Sequence, residues 1–365
     1  MPKKYISLRK FVSSHIISIC MLENIIPQSC VEAIEQIISG NERFVLLSHK
    51  NPDGDALGSS LALFHYLKNM GKSVAVVLPN PQPDFLAWLP SVENVVFYDS
   101  DSDKAEKLIA DADAFFCLDF NDFSRIGDVG VAVVRNSAPK VLVDHHLFPS
   151  EDFVVKISYP QACSTSELVY RLVERLSGDD AVTFEMAQCI YTGMMTDTGA
   201  FAYASSRKDI FLIIAALLDK GIDKDLIYRK VFYTSSLTRM RLHGYVMYKK
   251  MKLYNKYNAT LMTLDNDELQ RFYAVKGDTE GLVNQPLQMK GVRFSCFLRE
   301  EQPGKINVSL RSVDDFPCNE VAAEFFNGGG HKNASGGELH CSMDEAVAIF
   351  VKAINKYKKQ LTDTL

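Results

Sequence analysis

The sequence predicts an α/β protein: an N-terminal parallel-sheet domain with flanking helices, a helical linker, and a smaller mixed α/β C-terminal domain. Three observations predict it. Short apolar runs at 44–47 (FVLL), 74–78 (VAVVL), 114–118 (AFFCL) and 141–143 (VLV) are continuously hydrophobic, as parallel strands buried on both faces are. Helix-period segments separate them, and polar clusters follow several of them at the carboxyl edge, where open α/β sheets bind ligands. With 365 residues the chain exceeds one ordinary domain, and its composition shifts after residue 222. The expected divisions are an extension over 1–24, a first domain over 25–221, a linker over 222–252 and a second domain over 253–365.

Composition narrows the function. At 47% hydrophobic and 23% charged residues the chain reads as soluble and globular. No stretch reaches the ~18 apolar residues of a membrane span. A net charge of −5 argues against a groove for long duplex nucleic acid, but permits a small anionic substrate. The eight cysteines include no CxxC pair and read as reduced core thiols of a cytoplasmic protein. Lys3, Lys4, Arg9 and Lys10 precede a mildly apolar FVSSHIISIC without a clean apolar core or cleavage site. This stretch is read as an extension, or as the result of an upstream start, with Met21 the natural one.

A helical pattern over 25–39 leads to Gly40 and the first strand. His49, Asp53 and Asp55 then crowd into SHKNPDGDALGSS. Pro52 and Gly54 supply a turn that lets the two carboxylates face a common point. Two carboxylates and an imidazole suit Mn²⁺, Mg²⁺ or Zn²⁺; a polar loop with an Asx-turn is the structural alternative. Leu57, Leu61, Phe64, Leu67 and Met70 form one helical stripe, closed by Gly71. The Pro-rich loop after the second strand, with Trp88, either shapes a pocket rim or packs over a sheet edge. Asp119 follows the third strand and is either a ligand or a helix N-cap.

The fourth strand runs into Asp144-His145-His146. Adjacent side chains at a strand end point opposite ways, so the two imidazoles divide between one metal ligand and one substrate or proton contact. Asp144 can orient a histidine. Helices are expected over 165–176, capped by Ser164 or Thr165, over 185–195 and over 208–220. Asp197, in TDTG after the second of these, reads alone as a cap or turn residue. In the last domain, strand-like runs (258–264, 291–298, 305–311) and a short helix (321–326) precede GGGHKNASGG. There five glycines in ten residues, Gly329 and Gly330 among them, can expose backbone N–H groups as an anion nest, with His331, Lys332 and Ser335 as further donors. A flexible turn is the alternative. Arg311 is either a bidentate phosphate contact or an ordinary surface arginine. An amphipathic helix over 343–359 ends the chain.

Taken together, HKNPDGDA, LDFND, VDHH, TDTG and GGGHKNASGG resemble the DHH-family phosphoesterases, and the glycine block resembles their DHH-associated domain. The resemblance covers nearly the whole chain after about residue 25 and is nearest to the nanoRNase (oligoribonuclease) and 3′-phosphoadenosine 5′-phosphate phosphatase branch. It implies two divalent cations, usually Mn²⁺, with Mg²⁺ as the other candidate. One ion would be held by His49, Asp53 and Asp119, the other by Asp55, Asp119, His145 and Asp197. It implies a phosphate contact for His146, an orienting role for Asp144, and a substrate clamp from Arg311 and the loop around His331. The chain departs from many relatives at Ala202, where they carry a basic residue, which bears on fine substrate preference.

The expected function is hydrolysis of very short single-stranded oligonucleotides such as pApA to mononucleotides, with phosphatase action on 3′-phosphoadenosine 5′-phosphate as a second activity. A cyclic dinucleotide phosphodiesterase is the enzymatic alternative. A non-catalytic nucleotide sensor is the alternative of another class, and the six filled ligand positions speak against it. No membrane partner is expected, and a homodimer is left open.

Overall fold

The computed structural model describes residues 22–275 and 277–363, which form two compact units that divide between Thr234 and Ser235. The expectations for residues 1–21, the Met21 start included, lie outside the described residues.

The first unit carries α1 (Gln28–Gly40), β1 (Arg43–Leu47), α2 (Gly54–Asn69), β2 (Ser73–Leu78), β3 (Val96–Phe97), α3 (Ser102–Ala110), β4 (Ala114–Leu118), α4 (Asp128–Arg135), β5 (Lys140–Asp144) and β6 (Val155–Ser158). It continues with α5 (Thr165–Ser177), α6 (Phe184–Asp197), α7 (Lys208–Asp219) and α8 (Lys224–Phe232). The six strands form one sheet in the order β3-β2-β1-β4-β5-β6, and every pair is parallel. Strand order reverses between β1 and β4, so their carboxyl ends flank the crevice that such sheets use for ligands.

Alternation along the strands fills two cores. Phe44, Leu46, Phe116 and Leu118 pack on one face with Leu57, Leu61, Leu168 and Ile190. Val45, Leu47, Phe115 and Cys117 pack on the other with Ala105, Ile109, Val129 and Val133. Both faces are therefore covered, which explains why these strands are apolar throughout.

Helix α2 differs from the amphipathic helix that its stripe suggests. Leu57, Leu61, Phe64 and Leu67 are in the core as expected, but so are residues on the other faces, and Met70 caps the helix end at 48% exposure. The cause is α6. A Cβ on Gly58 would lie 2.5 Å from the Cys189 carbonyl oxygen, and one on Gly54 would lie 2.3 Å from Thr196 Oγ1. The two helices thus run antiparallel in near-backbone contact, and this brings Asp197, the last residue of α6, beside the start of α2. The strands β3 and β6 are not legible in the sequence, since two and four residues carry too little pattern.

The second unit holds α9 (Leu237–Tyr245), β7 (Lys252–Tyr254), β8 (Ala259–Leu264), α10 (Asn266–Arg271), β9 (Phe294–Gln302), β10 (Lys305–Ser312), α11 (Cys318–Phe325), β11 (Gly329–His331), β12 (Ala334–His340), α12 (Met343–Lys356) and α13 (Lys358–Thr362). Its sheet runs β11-β12-β10-β9-β8-β7, with only the β8/β9 pair parallel. Phe294, Phe316, Val321 and Phe350 centre its main core. The stretch 222–252 is shared: α8 places Ile227 and Val231 in the first unit's core, and α9 places Leu242 in a core with Met262 and Phe297. Among the described residues no helix is long and apolar enough to cross a membrane. The described cysteines are free thiols.

Candidate metal centre

Three strand ends build the site. The turn after β1 supplies His49 and Asp53, and Asp55 sits in the first turn of α2. Asp119 follows β4 directly. Its backbone is in the left-handed region (φ 64°), which turns the chain sharply at the crevice. Asp144 ends β5, and His145 and His146 follow. Ser48 Oγ donates to the Leu118 carbonyl at 2.7 Å and ties the ends of β1 and β4 together.

Asp119 is the centre. Its Oδ2 lies 3.4 Å from His49 Nε2, and its Oδ1 lies 3.5 Å from His145 Nε2. His49 Nε2 is also 3.9 Å from Asp53 Oδ1, and His145 Nε2 is 3.3 Å from Asp197 Oδ2. Two triads therefore have ligand atoms within 4.8 Å of one another: His49, Asp53, Asp119 and Asp55, His145, Asp197. Asp119 faces a histidine of each triad with a different oxygen. It also groups with His145 and His146 at the same spacing.

The imidazoles are oriented for this. His49 Nδ1 donates to the Lys50 carbonyl (3.0 Å), and His145 Nδ1 to the Ala162 carbonyl (3.4 Å). A carbonyl can only accept, so in the neutral ring the lone pair is on Nε2, the nitrogen that faces the carboxylates. His146 is arranged differently: its Nδ1 is 2.7 Å from Asp144 Oδ1, and Asp144 is fully buried. Sequence expectation split the two histidines into a ligand and a substrate or proton contact; the structure places both within ligand spacing of Asp119.

The protein groups alone leave an excess of negative charge. Burial and the charge of Asp119 push the Asp55 carboxyl up to about 7. Burial would lower His49, but its hydrogen bond to Asp119 and the charges of Asp119 and Asp53 outweigh this and hold it up at about 9. His145 is likewise lowered by burial and raised more strongly by Asp119 and Asp197, to about 9. Burial would raise Asp119, but the imidazoles hold it below the usual carboxylate range, while Asp55 resists ionisation; a carboxyl and two imidazoles that retain protons mark a place where a bound cation would supply the positive charge instead. Hard oxygen donors with one imidazole in each triad suit a divalent ion such as Mn²⁺ or Mg²⁺.

Asp53 also serves the structural role considered for it. As N-cap of α2, its Oδ1 accepts from the amides of Asp55 and Ala56, each at 3.0 Å. Asp197 ends α6 instead of lying in the turn beyond it, so its position is set by a helix.

The glycine block is a hairpin. Gly329, Gly330 and His331 pair with Gly336, Ser335 and Ala334 across β11 and β12. A Cβ on Gly328 would meet the Gly336 carbonyl at 1.8 Å, and one on Gly337 would meet the Phe326 carbonyl at 2.2 Å. Close backbone packing explains these two glycines where the sequence suggested an open nest. Gly329, Gly330 and His331 are exposed on the hairpin. Ser335 is buried, and its hydroxyl donates to Cys318 Sγ at 3.1 Å, so it supports the hairpin from inside. Lys332 is paired with Asp315 at 2.7 Å. Arg311, at the end of β10 opposite Ala334, donates to the Leu310 carbonyl.

Sequence reading missed the groups behind the ligands. Thr165 and Ser166, in the first turn of α5, donate their amides to Asp55 Oδ2 and Oδ1 at 2.6 and 2.8 Å. Thr165 Oγ1 donates to Asp119 Oδ1 at 3.0 Å. The only sequence signal was the hydroxyl-rich cap of that helix.

Comparison with known proteins agrees with this architecture. Residues 43–194 match the DHH family N-terminal domain, and residues 261–360 match the DHHA1 domain. The chain is 30% identical to the bifunctional oligoribonuclease and PAP phosphatase NrnA of Thermus thermophilus, over 85% of this chain and 89% of that protein. It is 26% identical to the protein of the same name from Bacillus subtilis, over 85% and 93% of the two chains. The crystal structure of an exopolyphosphatase-related protein from Bacteroides fragilis superposes with a TM-score of 0.91 at 48% identity, covering 94% of this chain and 100% of that one. The chain belongs to the DHH family, with a DHHA1 domain in its C-terminal half. Members of the family are phosphoesterases, so the class is a hydrolase acting on phosphoester bonds.

Proposed function

We propose that this protein hydrolyses very short oligonucleotides to mononucleotides, with 3′-phosphoadenosine 5′-phosphate as a second substrate, using two divalent ions, Mn²⁺ by preference. One observation carries the reading: a single buried carboxylate, Asp119, faces His49 with one oxygen and His145 with the other, between two triads of ligand spacing. The relatives named as oligoribonuclease and PAP phosphatase, matched over most of their length, support the substrate class.

His49, Asp53 and Asp119 would hold one ion, and Asp55, Asp119, His145 and Asp197 the other. Held there, two such ions would supply Lewis-acid activation of water and charge stabilisation for an in-line displacement at phosphorus. The residues of the chain do the rest. The Nδ1 hydrogen bonds of His49 and His145 fix their rings, so that little reorganisation is needed when a ligand binds. Asp144 orients the His146 ring through Nδ1, and His146 is assigned to a phosphate oxygen or to proton transfer to the leaving oxygen. Arg311 and His331, on the second unit, are assigned to the substrate's phosphate groups.

The test is Asp119→Ala with metal content measured alongside turnover. The variant should lose both ions and all release of AMP from pApA. Normal turnover in the variant would overturn the assignment.

A further inference from the structure

We propose that the turn Ala162–Glu167 is a positioning device for one half of the metal centre, locked in place by the buried ion pairs of Glu167 with Arg171 and Arg207. It rests on the reading of Asp55, Asp119 and His145 as ligands. Four hydrogen bonds leave this short turn for those three residues. The Ala162 carbonyl receives His145 Nδ1. The amides of Thr165 and Ser166 take one oxygen each of Asp55. The Thr165 hydroxyl takes Asp119 Oδ1, the oxygen that faces His145. All four serve the Asp55–His145 side. On the other side His49 leans on its own neighbour Lys50, and Asp53 caps its own helix.

The turn is more firmly held than a helix start requires. Ser164 Oγ accepts from the Glu167 amide (3.1 Å), and Glu167 Oε2 accepts from the Cys163 amide (2.8 Å). That alone would cap α5. Glu167 is nevertheless a fully buried carboxylate, and burying it is costly unless it is paired on both oxygens. Arg171 Nε reaches Oε1 at 2.9 Å, and Arg207 spans both oxygens at 2.5 Å. Arg171 continues to Asp209 (2.9 Å) and to the Glu23 carbonyl (2.7 Å). Arg207 precedes α7 and closes the loop that begins after Asp197. The Glu167–Arg207 pair therefore ties the turn that backs Asp55 and His145 to the loop that follows Asp197.

This arrangement predicts a selective effect. Groups that orient ligands from behind set metal affinity by roughly ten- to a hundredfold without touching the ion. Thr165→Val removes one hydroxyl with little change of shape, and Thr165→Ser keeps the hydroxyl. The experiment is a calorimetric Mn²⁺ titration of the full-length, metal-stripped protein, with thermal unfolding of the same samples. The wild type should bind two ions. Thr165→Val should weaken one of them by about tenfold or more and leave the other unchanged. Thr165→Ser should restore the wild-type titration, and Glu167→Gln should weaken the same ion again. Unchanged titrations in Thr165→Val and Glu167→Gln would overturn the positioning role alone. Equal weakening of both ions together with a lower melting temperature would reduce the turn to a structural element and also overturn it. A wild type that binds no Mn²⁺ would instead overturn the metal reading on which it rests.

Discussion

All three imidazoles of the site are held by Nδ1, His49 and His145 by backbone carbonyls and His146 by a buried carboxylate, at 2.7 Å from Asp144 Oδ1. A ring oriented by a buried carboxylate fits the proton transfer or phosphate contact proposed for His146. His146→Ala should therefore keep both metal ions by elemental analysis and lower single-turnover cleavage by about 10²–10⁴-fold. Loss of the ions from that variant would show that the two neighbouring histidines have been assigned the wrong way round. The other imidazoles set a pH dependence. His49 and His145 rise from 6.5 to about 9 in the protein alone, so the stability they contribute is complete below pH 6.5 and is lost as pH rises through 9. Asp55 rises from 3.8 to about 7, so ionising it also costs stability as pH increases towards 7. Metal-stripped protein should melt progressively lower between pH 6 and 9. Because a ligand imidazole must first lose its proton, added Mn²⁺ should raise the melting temperature more at pH 9 than at pH 6. An equal Mn²⁺ effect at both pH values would contradict the ligand roles of the histidines.

At the scale of elements, the site depends on how closely α2 and α6 approach. Gly58→Ala should gain about 1 kcal/mol of helix propensity. A Cβ 2.5 Å from the Cys189 carbonyl cannot be accommodated by a side-chain rotation, and the overpacking costs about 1–3 kcal/mol. The net effect should be a lower melting temperature and weaker Mn²⁺ binding, because the shift moves Asp197 away from Asp55; calorimetry on the variant measures both. The ligand-bearing turns were legible in the sequence because each one follows a buried apolar strand, as in LDFND after AFFCL and DHH after VLV. The α2–α6 contact was not legible, since glycines inside a helical pattern look only like weak helix formers. Glu167 and Arg207 were invisible for a related reason: they are forty residues apart, and only the tertiary fold makes them a pair. The glycine block was legible as special but not as a hairpin, because strand pairing and a loop nest call for the same residues.

At the scale of the whole molecule, the first unit carries every group assigned to the metals, and the second carries Arg311 and His331. Neither Arg311 nor the hairpin offers a long basic track, and a net charge of −5 fits short substrates whose phosphates are met by metals and a few local cations. The most direct test is the rate of mononucleotide release by the purified protein with Mn²⁺, with chelator as control, from pApA, a five-nucleotide RNA, a long single-stranded RNA, cyclic di-AMP and 3′-phosphoadenosine 5′-phosphate. Fast Mn²⁺-dependent release of AMP from pApA and of mononucleotides from the short RNA, with little from the long RNA, is the result expected. Turnover of cyclic di-AMP alone, or undiminished turnover in chelator, would contradict it.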